Sequence, residues 1–359
     1  MTVKMEPVTH QEVANGDSHI EDRPREKGGI MNTLYPPGPR PGAGPRMKNH
    51  LKKFWWCDCL VLVIIVLIIV LPIIYVAIPK KAQKDINAST LEVNMQEVTE
   101  ATPDSVHIAI DSTARSSSSF HPTIEGFRAA LYLEGQEPFL YADVPETKAE
   151  AETSIKIRQN VQIANKASFI EYNKVVIGSE EFEVFLSGKT KVHQSGLSAI
   201  SVDYDKRIKM KGLNKLAGLN ITNLRILSGN ATLPDGSNLV GRVIIPNPSV
   251  LTIDLGNVTM NLAVNGKAIG TSFLPDLVLK PGVNNVTMQS KVDQLQVFDL
   301  VRKNYTNAIL PLDIVGNSSV RNGQNLPYFE AAIRSNSVRV DLNVGPPLAA
   351  LGLYNATRN

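Results

Sequence analysis

The hydrophobic pattern has one extreme stretch and, after it, a long alternating region. From Leu60 to Ile78 nineteen residues run LVLVIIVLIIVLPIIYVAI without a charge. As a helix they span about 28 Å, close to the roughly 30 Å hydrocarbon core of a bilayer. A buried core helix carries a polar stripe and this run has none, so it predicts a transmembrane helix, placed at residues 57–79. Phe54, Trp55, Trp56 and Tyr75 stand where amphipathic rings meet headgroups, and Lys52, Lys53, Lys80 and Lys81 bracket the run. It starts too far into the chain, and is too long, for the apolar part of a cleaved signal peptide. Pro72 is expected as a tolerated kink.

Past the span the period becomes two. Val106, Ile108 and Ile110 alternate with polar neighbours; so do Leu251, Ile253 and Leu255, then Val258, Met260, Leu262 and Val264, and near the end Val338, Val340 and Leu342. Such alternation predicts half-buried antiparallel strands. Asn265-Gly266 suits a type I′ hairpin turn, and Pro281-Gly282 the centre of a type II turn. Thr123-Ile124-Glu125 with its alternating strand is echoed by Thr252-Ile253-Asp254 with another, and Glu183 to Gly188 by Pro311 to Gly316, at offsets of about 130 residues. Each half holds one helix candidate, around Ile163, Ala167 and Ile170 and around Val292, Leu295, Phe298 and Val301. The expected fold is mainly β: two tandem immunoglobulin- or fibronectin-III-like sandwiches, each with one helix, at 101–218 and 219–359. A linker is expected at 80–100 and a disordered Pro/Gly-rich tail at 1–56, the latter because a run such as Tyr35-Pro36-Pro37-Gly38-Pro39 buries too little apolar surface to offset its ordering entropy.

Charge adds orientation. Of 37 basic and 34 acidic residues, residues 1–56 hold nine and six and residues 79–359 hold 28 and 27. The nearly neutral C-terminal part argues against a nucleic-acid partner. More Lys and Arg precede the span than follow it, which favours a cytosolic N-terminus. Eight Asn-x-Ser/Thr acceptors follow the span and none precedes it: Asn87, Asn220, Asn230, Asn257, Asn285, Asn304, Asn317 and Asn355. Together these predict a type II signal-anchor topology with candidate N-glycosylation at those eight positions. The only cysteines, Cys57 and Cys59, exclude disulfides after residue 59 and stand at the expected cytosolic membrane boundary as candidates for S-acylation.

Val243-Ile244-Ile245-Pro246-Asn247-Pro248-Ser249, the strands around Val264-Asn265-Gly266-Lys267, and Leu274-Pro275-Asp276 through Pro281-Gly282 together resemble the group-2 late-embryogenesis-abundant domain. With the Phe-Trp-Trp-capped span and the Pro/Gly-rich tail, the chain is similar to a fungal family of single-span proteins with tandem domains of this type. The first copy departs from the pattern, with Ser112-Thr113-Ala114-Arg115-Ser116-Ser117 where Asn-Pro is expected. The resemblance implies residence at a vacuolar or other endomembrane and a link to vacuole maintenance or autophagy. It carries no catalytic residue.

No nucleophile elbow, P-loop, dinucleotide fingerprint or His-Glu-x-x-His motif occurs. His107, His121 and His193 lie far apart, and the acidic cluster Asp143, Glu146, Glu150 and Glu152 reads as a solvated loop. The chain is expected to be non-enzymatic, with no catalytic, metal or cofactor site. The function expected is that of luminal interaction modules for a protein partner or a second copy; the alternative is lipid binding or transfer by an apolar groove in each sandwich.

Overall fold

The computed structural model describes residues 43–354. The expected tail therefore lies outside the described residues up to position 42, as does the acceptor Asn355. The chain divides into two units at Pro72. The first holds helix α1 (Ala43–Pro72), whose side chains from Leu60 to Leu71 are exposed. The helix starts earlier than the expected span, inside the Pro/Gly run, because Pro45 falls in its first turn, where the missing N–H has no intrahelical partner to lose. The stretch His50–Ala88 is long and apolar enough to cross a membrane. Pro72 supplies no N–H to the ladder, and the turn after it, Ile73–Ala77, widens to a π-helix.

The second unit begins with that turn and α2 (Ile78–Ala88), then continues almost entirely as strands. The segment expected as a linker, 80–100, is the end of α2 followed by β1 (Thr90–Thr99), so the first sandwich starts at Thr90 rather than at 101. One of its layers is β1, β2 (Ser105–Arg115) and β7 (Glu152–Gln162) in the order β1-β2-β7. The other contains β4 (Phe127–Tyr132), β5 (Leu140–Val144), β8 (Glu181–His193) and β9 (Ile200–Lys211), ordered β5-β4-β8-β9, with short β3 (Thr123–Ile124) and β6 (Thr147–Lys148) at one end. Helix α3 (Lys166–Gly178) follows β7; Asn165 Oδ1 caps it by accepting from the Ser168 N–H at 3.1 Å.

The second sandwich repeats this ladder. β10 (Asn220–Ile226), β11 (Leu239–Asn247) and β14 (Gly282–Val292) form the order β10-β11-β14. β12 (Leu251–Val264), β13 (Lys267–Leu279), β15 (Ile309–Arg321) and β17 (Ser337–Asn343) form β13-β12-β15-β17. Helix α4 (Gln294–Lys303) is capped by Asp293, the counterpart of Asn165, through the Gln296 N–H at 3.0 Å. β8 and β15 match end for end at an offset of 128, and β7 and β14 at 130. The isolated bridge Leu140–Ile163 is the counterpart of the Gly270–Val292 pairing. Tandem sandwiches are thus present with one topology. The β12–β13 turn has Asn265 and Gly266 both at positive φ (48° and 76°), as a type I′ turn requires.

The second copy carries more than the one helix expected of it: β16 (Gln324–Asn325) and α5 (Pro327–Arg334) are inserted between β15 and β17, and α6 (Gly345–Ala350) ends the fold. Helix α5 joins the sandwiches. The Tyr328 ring packs on Phe169 of α3 at 4.8 Å, and its hydroxyl donates to the Thr102 carbonyl at 2.8 Å. β1 also runs parallel to the start of β12, Gln96 to Val98 against Leu251 to Ile253, so one sheet crosses from one sandwich into the other.

Candidate apolar binding site

Between the layers of the second sandwich lies a cavity of about 120 Å³. Its walls come from both layers and from α4: Val243 and Met288 on one, Val258, Leu274 and Leu312 on the other, and Val297 and Phe298 from the helix. It borders the surface at Leu351 and Leu353, which are 40 % and 52 % exposed. Polar groups at its wall are already engaged. Ser272 Oγ accepts from Ser290 Oγ at 3.0 Å, and Gln294 Nε2 donates to the carbonyls of Leu227 and Asn238, both at 3.0 Å. Such a surface offers dispersion contacts and exclusion of water, which suit a hydrocarbon.

The first sandwich has the same layers; beside α3 its interior is fuller, with a void of about 50 Å³, and its larger space is the one beneath α2. The repeat register explains the difference. Phe139, Phe169, Tyr172 and Phe182 of the first copy stand where the second has Ile269, Val297, Leu300 and Leu310. Phe139 stacks on Tyr172 at 4.4 Å, and Tyr172 meets Phe182 edge-on at 6.1 Å. The Tyr172 hydroxyl accepts from Gln96 Nε2 at 3.2 Å, and burial pushes its pKa up to about 12. These rings fill the first interior beside α3, whereas Ile269, Val297 and Leu310 line the open space of the second.

A third space, about 190 Å³, lies beneath α2. Ile78, Ala82 and Ile86, at successive turns of the helix, face Ile124, Phe127 and Val144 across it. The helix is fastened by polar contacts. Gln83 exchanges two hydrogen bonds with the Asp203 backbone of β9, at 2.7 and 2.8 Å, and Ser118 Oγ donates to Asp85 at 2.8 Å. Lys206 of β9, only 6 % exposed, donates to the Ile86 and Ser89 carbonyls and to Ser89 Oγ at the end of α2. Desolvation brings its pKa down to about 8, against the weaker opposing influence of Asp205.

The positions singled out from sequence do not converge. Asn87, Asn220, Asn230, Asn285 and Asn304 are exposed; Asn257 and Asn317 are half-buried, and Asn257 Oδ1 accepts from the Asp276 N–H at 3.0 Å. Cys57 and Cys59 lie on α1, half-buried and exposed respectively. His107, His121 and His193 pair separately with Asn160, the Ala149 carbonyl and Glu125, while Asp143, Glu146, Glu150 and Glu152 are exposed. Among the described residues no three of His, Cys, Asp and Glu gather as a metal set. An apolar groove in each sandwich was one of the two expectations, but its lining was not named because no single residue marks it; the aromatic-to-aliphatic change between the repeats is the signal that would have told the two copies apart.

Residues 137–262, about a third of the chain, match the model of a family described as protein of unknown function (DUF3712). The matched stretch runs from just before β5 into β12 and so crosses the join between the sandwiches. No curated protein matches the sequence. Among solved structures, a protein from Archaeoglobus fulgidus is 9 % identical, with 34 % of this chain and 94 % of that one covered and a TM-score of 0.21. The periplasmic chaperone SfaE is 10 % identical over 71 % of this chain and 100 % of its own, TM-score 0.18, and the E. coli chaperone DraB 10 % over 71 % and 98 %, TM-score 0.19. Scores this low carry no argument.

Proposed function

We propose that this chain is a non-enzymatic single-pass membrane protein whose second sandwich takes up the end of a lipid acyl chain. The observation that carries the reading is the difference beside the two matching helices: next to α3 rings close the interior, whereas next to α4 mostly aliphatic side chains leave a cavity. A void of about 120 Å³ is near the size of the roughly 150 Å³ apolar cavity that stays dry and admits benzene, so it accepts about four or five carbons. At about 0.8 kcal/mol per buried methylene, that is about 3–4 kcal/mol of apolar burial before the costs of association, a weak and readily reversible hold. The resemblance to the group-2 late-embryogenesis-abundant domain supports the same reading. Type II topology, residence at the vacuolar or another endomembrane, glycosylation of the sandwiches and acylation of Cys57 and Cys59 belong to the proposal and rest on charge, acceptor sites and that resemblance. The other function expected from sequence, a module for a protein partner, gains no comparable support from the cavities.

The test is mass spectrometry of lipids co-purifying with the full chain and with Ile269→Phe, which places in the second interior the ring the first copy has at Phe139. Stoichiometric lipid on the native chain, lost or sharply reduced in a folded Ile269→Phe variant, is the expected result. Equal lipid on both, or none on either, removes the reading.

A further inference from the structure

The space beneath α2 is closed by elements that the second sandwich lacks. Two elements peculiar to the first copy build it: α2 itself, and the long connection from β2 to β3, whose Ser116, Ser118, Phe120 and Pro122 line its wall. In the second copy the corresponding connection is the tight Asn247-Pro248-Ser249 turn, closed by Asn247 Oδ1 accepting from the Ser249 N–H at 2.9 Å. The departure from the family pattern therefore falls where this cavity is made.

Its position in the chain identifies what reaches it. Ile78 is the last residue of the apolar run and also part of the cavity wall. The next turns of α2 present Lys80, Lys81 and Lys84 at the surface; Lys81, which also lines the cavity, is paired with Asp85 at 2.9 Å and lies over the half-exposed Phe120 ring at 5.1 Å. An apolar floor of Ile78, Ala82, Ile86, Ile124, Phe127 and Val144 beginning where the span ends, with the ammonium groups of Lys80 and Lys84 beside it, matches an acyl chain attached to a phosphate headgroup. We infer that this cavity is a second lipid site, occupied by the end of an acyl chain of a phospholipid from the bilayer that the protein's own span crosses. The inference shares the lipid reading above but concerns a separate site, built from different residues.

The experiment reconstitutes the full chain in phosphatidylcholine vesicles containing a trace of phosphatidylcholine with a diazirine near the end of one acyl chain, and maps photo-crosslinks by peptide mass spectrometry. Crosslinks are expected on Ile124, Phe127 or Ile200, which lie outside the span. Ala82→Trp fills the cavity from α2 and Ala149→Phe from the opposite wall. Each should lower that labelling by about tenfold, as when about two methylenes lose their burial, while labelling of the second sandwich stays as a control for folding. Labelling confined to the second sandwich overturns this inference and leaves the function proposed above intact. Labelling of the strand walls that neither folded variant diminishes also overturns it, and labelling of neither cavity overturns both.

Discussion

Lys206 shows how one side chain ties two elements together at a cost. Its ammonium is buried without a carboxylate partner, and three oxygens at the C-terminal end of α2, where the helix dipole is negative, accept its hydrogen bonds. The lowered pKa, about 8 against an ordinary 10.5, fixes the sign of the pH dependence. Below about pH 8 the desolvation cost is present in full. Between there and 10.5 the unfolded chain binds more protons than the folded one, so this residue makes stability rise with pH. Tyr172 and Tyr204, each raised to about 12 by burial, act oppositely above pH 10, which is why the comparison must be with a variant that keeps them. Lys206→Met should flatten the rise between pH 8 and 10, a difference on the order of 2 kcal/mol in denaturant unfolding of the full chain in detergent. Parallel pH profiles for the two proteins would show that the cost is absent.

At the scale of elements, the insertion of α5 decides how the two copies meet. It lies against β15 because Gly316 has no side chain: a Cβ there would overlap Ile333 of α5, coming within 2.7 Å of its backbone carbon. Gly316→Ala should push α5 away, loosen Tyr328 from Phe169 and Thr102, and destabilise the fold by about 1–3 kcal/mol, seen as a lower thermal midpoint. An unchanged midpoint would mean that α5 is free to shift. The strands were legible in the sequence because Leu251 to Val264 alternates and Asn265-Gly266 marks its turn, and the repeat because Glu183 to Gly188 is echoed by Pro311 to Gly316 at a constant offset. Three helices were not, the six-residue α6 among them. Helix α5 is eight residues long, too short for a periodic signal, and α2 reads as a polar linker because only Ile78, Ala82 and Ile86 make its apolar face. The cavities stayed hidden for another reason: a void is fixed by the summed volumes of side chains brought together from distant strands, such as Phe139 with Tyr172.

For the whole molecule, the orientation across the membrane decides which compartment the cavities face, and the acceptor asparagines report it. If the sandwiches are luminal, glycosidase treatment should increase mobility. Asn285→Gln and Asn304→Gln should each remove one step of that shift, because both positions are exposed. Asn257→Gln and Asn317→Gln should change it little, since both side chains are half-buried. In sealed vesicles a protease should trim the tail and spare residues 90–359. Protection of the tail with digestion of the sandwiches would reverse the orientation and, with it, the exposure of Cys57 and Cys59 to cytosolic acylation. It would not remove either cavity: both are lined only by residues that follow Pro72, so the lipid experiments and the topology experiment fail independently.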